Sequence, residues 1–159
     1  MRYLTGEEEK EAIKYINEAG KIAQQSCCLR SKCGAVLVKD NEIIGVGFNS
    51  PPLNERLEVC IKDSLPADFK SDKTCCIHAE HRSINEALRY HSDKIFGSRI
   101  YFTRIDANNN PIKSGKPYCT ICSKISLDVG ISEWVLHHEE GIALYDSKEY
   151  NDFSFQFRR

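Results

Sequence analysis

Cys33-Gly34-Ala35-Val36-Leu37-Val38, Lys39-Asp40-Asn41-Glu42 and Ile43-Ile44-Gly45-Val46-Gly47-Phe48 follow one another as apolar run, polar break and apolar run. Two short runs of this kind around a polar tetrapeptide read as a β-hairpin. The strands are Cys33 to Val38 and Ile43 to Phe48, with a tight turn from Lys39 to Glu42. Upstream, Thr5-Gly6-Glu7-Glu8 has the capping-box pattern, and its acids suit the positive end of a helix. Ala12, Tyr15, Ile16, Ala19, Ile22 and Ala23 then recur at helical spacing, which predicts a first helix from Gly6 to Ser26.

Downstream, Asn49 to Thr74 carries Pro51, Pro52, Pro66 and scattered charges, and reads as a long loop. Loops of that length are uncommon in compact domains unless they have a function, so this one is a candidate substrate lid. A second helix is expected from Ile77 to Tyr90, with Ile77, Ile84, Ala87 and Leu88 facing inward. Ser98 to Arg104 reads as a strand, Asp106 to Pro117 as a loop, and Cys119 to Val129 as a third helix stopped by Gly130. Ile131 to His137 follows as a strand, and the alternation of Phe153, Phe155 and Phe157 predicts a last strand within Asn151 to Arg159. The order α-β-β-α-β-α-β plus an end piece, with no internal repeat or linker, predicts one mixed-sheet α/β domain over residues 1–159.

The 159 residues are 41% hydrophobic and 28% charged, the balance of a globular chain. Lys plus Arg is 22 and Asp plus Glu is 23, so the formal charge of −1 makes a nucleic-acid partner less expected than a small molecule. No apolar run approaches the roughly 20 residues that span a bilayer. Met1–Lys10 is acidic and lacks the pattern of a signal peptide, so a cytoplasmic location is expected. In that compartment the eight cysteines point to metal binding or free thiols ahead of disulfides.

Neither His-x-Glu nor Cys-x-x-Cys is specific alone in a chain of this composition. His78-Ala79-Glu80, His137-His138-Glu139 and His138-Glu139-Glu140 all match the first, and Cys119-Thr120-Ile121-Cys122 matches the second. Context separates them. His78 and Glu80 open one predicted helix and Cys119 and Cys122 open the next, whereas His137 and His138 end a strand and are expected to be exposed polar residues. Cys119 and Cys122 share a helix face, and the positive helix end favours their thiolates. One His and two Cys fill three tetrahedral positions on zinc and leave the fourth for water, as catalytic sites do. Glu80, two residues past His78, is placed to stand beside that water as a general acid/base.

His78-Ala79-Glu80 followed by Pro117-Tyr118-Cys119-Thr120-Ile121-Cys122 resembles the zinc-dependent cytidine/deoxycytidylate deaminase superfamily. The resemblance extends to the hairpin closing on Gly47-Phe48-Asn49, to Ile84-Asn85-Glu86-Ala87-Leu88, and to Gly130-Ile131, and covers Cys33 to His137. It implies a three-layer α-β-α fold with a mixed sheet of about five strands. It implies one zinc per chain on His78, Cys119 and Cys122, with Glu80 catalytic and with Asn49 and Ala79 contacting substrate. The implied reaction is hydrolytic release of ammonia from a cytosine-type nucleoside or nucleotide, in a homo-oligomer. Action on nucleic acid or on an adenine or guanine base, or a non-catalytic zinc or redox module, are the alternatives. Lys62, Lys70 and Lys73 are candidates for a substrate phosphate. Some members carry a second zinc, which Cys60, Cys75 or Cys76 and His81 would imitate, although unliganded thiols are the default. One departure stands out: the family places Pro directly before the first Cys, and here Tyr118 intervenes.

Overall fold

The structure, a computed structural model, describes residues 1–66 and 75–157. Lys70 and Lys73 lie outside those residues. The chain runs β1 (Arg2–Tyr3), α1 (Gly6–Ala23), β2 (Lys32–Lys39), β3 (Glu42–Phe48), α2 (Ala79–Tyr90) and β4 (Arg99–Ile105). It continues through β5 (Pro111–Ile112), α3 (Thr120–Asp128), β6 (Glu133–His137), β7 (Ile142–Asp146) and α4 (Ser147–Gln156). The strands form one sheet in the order β1-β7-β6-β4-β2-β3, with β5 paired to β4. Only β4 and β6 pair in parallel among the described strands.

The alternation of β2 explains the layers. Ala35 and Leu37 face a core shared with α2, α3 and α4, while Val36 and Val38 face a second core under α1. The result is the expected mixed α-β-α arrangement, with seven strands where about five were expected. The hairpin turn is where the sequence puts it, with Asp40 and Asn41 in the left-handed region that such two-residue turns require. Gly130, at φ 82°, ends α3 as anticipated.

Three expectations are corrected. The C-terminal segment is helix α4, not a strand. Asp146 caps it by accepting from the backbone N–H groups of Lys148 and Glu149, and Ser147, Tyr150 and Ser154 turn inward at helical spacing. The alternating Phe153, Phe155 and Phe157 stay largely exposed. Leu88 is exposed on α2 rather than inward. His138 is buried, hydrogen-bonded through Nε2 to the Tyr145 hydroxyl at 3.2 Å, because the unanticipated β7 covers the end of β6. At the other terminus Thr5 caps α1 without a side-chain hydrogen bond, and Glu8 pairs with Arg2.

Close approach of β3 and α2 sets the position of the site. A Cβ on Gly47 would lie 2.1 Å from the Ala79 carbonyl oxygen and 2.5 Å from the Ser83 nitrogen, both backbone atoms. Gly47→Ala is therefore expected to push the first turn of α2 off the sheet and to cost about 1–3 kcal/mol, as overpacking does. A lowered denaturant midpoint in that variant checks the expectation, and an unchanged midpoint contradicts this account of the packing.

Candidate active site

Two helix starts meet at one point. His78 is the N-cap of α2 and Cys119 the N-cap of α3, whose thiol accepts from the Cys122 N–H at 3.3 Å. His78 Nδ1 lies 3.2 Å from Cys119 Sγ and 3.3 Å from Cys122 Sγ, and the two sulfurs are 3.2 Å apart. Three ligands at 2.0–2.3 Å from a tetrahedral zinc ion would stand roughly 3.5–3.8 Å from one another. The observed triangle is a few tenths of an ångström tighter, so it fits one ion held by three ligands. This is the one group of its kind among the described residues.

The charges of the trio support that fit. Hydrogen bonds from Cys122 and His78 hold the Cys119 thiol well below its ordinary pKa, and the bond to Cys119 raises His78. The Cys122 thiol is driven up, first by its bond to Cys119 and then by burial and the nearby Glu80 charge. One negative charge is thus at home on this pair and a second is not. A divalent cation supplies what lets both thiols ionise.

Glu80, in the first turn of α2, is 6% exposed and lines the same cavity of about 440 Å³ as His78 and Cys119. Burial pushes its carboxyl up to about 6, against the opposing pull of His78. That places a proton acceptor near neutrality beside the trio. Ala79 lines the cavity as well, and as the first residue of α2 its N–H has no intrahelical partner.

Asn49 also lines the cavity, but its amide is mostly spent on the wall. Its Oδ1 accepts from the Cys33 N–H at 2.7 Å and from Ser26 Oγ at 2.8 Å, and its Nδ2 donates to the Ser31 carbonyl at 2.7 Å. One N–H remains for a ligand. Lys62 reaches the cavity from the long loop. The suggested second zinc group is not assembled among the described residues. Cys75 Sγ lies 3.9 Å from both Cys60 Sγ and Cys76 Sγ, but no set of three donors there closes on one point.

Several lining residues had not been singled out. Arg104 continues the row of Ile100 and Phe102 on β4 to the exposed rim of the cavity, and its guanidinium donates to the Ser114 carbonyl at 3.2 Å. Strand alternation would have placed it on the same side of β4 as Ile100 and Phe102. Lys116 follows from the β4–β5 hairpin, and Tyr150 and Phe157 come from α4. Arg30, Lys62, Arg104 and Lys116 rim the cavity, and Glu80 is the sole carboxylate among its described lining residues.

Residues 9–138 match the family model described as the cytidine and deoxycytidylate deaminase zinc-binding region. A deoxycytidylate deaminase of Mycobacterium phage D29 is 33% identical over 96 residues, which are 57% of this chain and 74% of the phage protein. The deoxycytidylate deaminase of Schizosaccharomyces pombe is 29% identical over 128 residues, 77% of this chain but 35% of the yeast protein. The dCMP deaminase of cyanophage S-TIM5, solved with dCMP and dUMP, superposes with a TM-score of 0.56 at 25% identity, covering 82% of each chain.

Proposed function

The chain belongs to the cytidine and deoxycytidylate deaminase family, and from that premise we propose that it hydrolyses the exocyclic amine of a cytosine nucleoside monophosphate. The observation that carries the phosphate is the cavity's charge: Lys62, Arg104 and Lys116 stand against one carboxylate, and Arg30 joins them while pairing with Asp63 at 3.5 Å. A volume of about 440 Å³ suits one enclosed small ligand. The cyanophage enzyme's nucleotide ligands and the names of the phage and yeast relatives support the same reading.

His78, Cys119 and Cys122 would hold a zinc ion, which when bound would supply Lewis-acid chemistry. Glu80 accepts a proton from the attacking water as the water oxygen bonds to the amine-bearing ring carbon, and passes the proton to the ring nitrogen. It then relays the second water proton to the amine, which leaves as ammonia while the carbon becomes a carbonyl. The N–H of Ala79 and the remaining N–H of Asn49 hold base and sugar. Arg104 and Lys116 from one wall, with Lys62 from the other, face the phosphate.

A panel of dCMP, CMP, deoxycytidine, cytidine, cytosine and single-stranded DNA, assayed for ammonia, tests the reading. Charge-assisted hydrogen bonds contribute about 1.5–3 kcal/mol, so kcat/KM should favour a monophosphate over its nucleoside by roughly tenfold to a hundredfold. Arg104→Ala should erase most of that preference. Turnover of DNA without turnover of any free nucleotide would contradict it. Asn49→Ala is expected to raise KM for dCMP more than for cytosine. The same variant should lose about 1–3 kcal/mol of stability, since the Cys33 N–H and the Ser31 carbonyl lose their partner. Paired melting and kinetic measurements on it read both effects.

A further inference from the structure

Cys28, Cys33, Cys60, Cys75 and Cys76 line the cavity beside the zinc trio, and the deamination uses none of them. Geometry singles out one pair. Cys60 Sγ lies 3.9 Å from Cys75 Sγ, close to contact between two sulfur atoms. The backbone is anchored on both sides of this pair. Cys60 precedes the short 3₁₀ turn Ile61–Ser64, where its carbonyl accepts from the Asp63 N–H at 2.9 Å, and Asp63 pairs with Arg30 at 3.5 Å. Two residues past Cys75, Ile77 exchanges backbone hydrogen bonds with Ser50 at 2.9 and 3.2 Å. The carbonyls of Ser50 and Pro51 in turn accept from the Arg82 guanidinium of α2, at 3.3 and 2.9 Å.

Neighbouring thiols are less suited to bridging. Cys76 Sγ is also 3.9 Å from Cys75 Sγ. Bridged residues, however, need Cα atoms about 4.4–6.8 Å apart, and neighbours in sequence stand at about 3.8 Å. Burial pushes the Cys33 thiol up to about 12, which keeps it from acting as a thiolate. We propose that Cys60 and Cys75 form a reversible disulfide in the cavity wall, made by exchange with an anionic low-molecular-weight disulfide of the glutathione type. Cys75 is partly exposed and meets the oxidant, whereas Cys60, 5% exposed, is the thiol that resolves. The Cys75 thiolate attacks one sulfur of the small disulfide, breaks its S–S bond and releases one small thiol. Cys60 then attacks the Cys75 sulfur of the mixed disulfide and releases the second. Two protein thiols are oxidised, one small disulfide is reduced to two thiols, and the two protons leave on those thiols. Lys62, Arg104 and Lys116 on the rim attract an oxidant of negative charge. Under reducing conditions the pair rests as thiols, and a shift in the thiol–disulfide balance converts it. The bridge closes a ring that carries Lys62 and ties it to the chain entering α2 at His78.

Peptide mapping of the zinc-loaded protein, in which Cys119 and Cys122 are held as metal ligands, tests the proposal without any need for turnover. After incubation with glutathione disulfide and digestion without reductant, a peptide pair linking Cys60 to Cys75 is expected. It should be at least about tenfold more abundant than any other linked pair, since a partner already in contact outcompetes distant ones. The bridge should raise the melting temperature by about 5–10 °C, as closing a loop of this length does where the native geometry accepts it. Dithiothreitol should reverse both changes. In Cys60→Ser the mixed disulfide has no resolving thiol, so glutathione should remain on Cys75. Absence of the Cys60–Cys75 peptide, or a bridge from Cys75 to Cys76 or from Cys119 to Cys122 in its place, overturns the proposal. A bridge that forms but lowers the melting temperature also overturns it, because the fold would then not hold the sulfurs ready to join. Should Cys60→Ser not fold, the map of the unaltered protein alone decides.

Discussion

Cys122→Ala is expected to release the zinc ion and to lower the melting temperature by about 10 °C in zinc-saturated buffer. The trio then has two ligands, His78 and Cys119, where the observed triangle of 3.2 to 3.3 Å edges needs three. A ligand that binds only the folded chain stabilises it by about 4 kcal/mol at a thousand times its Kd. For a chain of this length each kcal/mol is worth about 2–4 °C. The apo form should remain folded, because the core under α1 contains none of the three ligands. Because Cys122 must surrender a proton that its surroundings hold tightly, zinc retention in the unaltered protein should weaken as pH falls. Elemental analysis and a thermal melt check both statements. A full complement of zinc in the variant would remove Cys122 from the ligand set.

Glu80→Gln should leave zinc and fold in place and abolish most turnover. Glutamine has the shape of the glutamate and cannot carry the proton. General acid/base catalysis is worth about 10²–10⁴-fold, and Glu80 serves two transfers, so a loss of more than about a hundredfold is expected in kcat. The sign of the stability change follows from the carboxyl's displaced pKa. In the metal-free protein burial lifts it to about 6, above its unfolded value, so the ionised form at neutral pH opposes folding, and a neutral amide removes that cost. The melting temperature of the metal-free variant should stay level or rise slightly, while the activity of the zinc-loaded variant collapses. Retention of a tenth of the activity would mean that another group moves the proton.

The zinc trio was readable in the sequence because each half of it is local. His78 and Cys119 each begin a helix, and the capping positions that start those helices also aim the side chains at one another. The hairpin and the stop at Gly130 were readable for the same reason, since turn chemistry is written within a few residues. What escaped depends on partners distant in the chain. Ile142 to Asp146 is a short apolar run whose place as a strand is decided by pairing with β6 and β1. The alternation of Phe153, Phe155 and Phe157 reads as a strand, whereas α4 is started by the Asp146 side chain capping the N–H groups of Lys148 and Glu149. Asn49, expected to contact substrate, lines the cavity, but no local pattern reveals that Ser26, Ser31 and Cys33 claim most of its amide. Arg104 and Lys116 were hidden in the same way, because their meeting around the cavity is a consequence of the β4–β5 hairpin.

The central claim is that His78, Cys119, Cys122 and Glu80 form one hydrolytic centre for a cytosine nucleotide. The most direct measurement follows dCMP in the protein stripped of metal by a chelator, in the same protein with zinc restored, and in zinc-loaded Glu80→Gln. Only the restored protein with Glu80 intact should form uracil nucleotide and ammonia in equal amounts, with the new carbonyl oxygen derived from water. Absence of uracil nucleotide from the zinc-restored protein, or its formation at the same rate by Glu80→Gln, would contradict the claim.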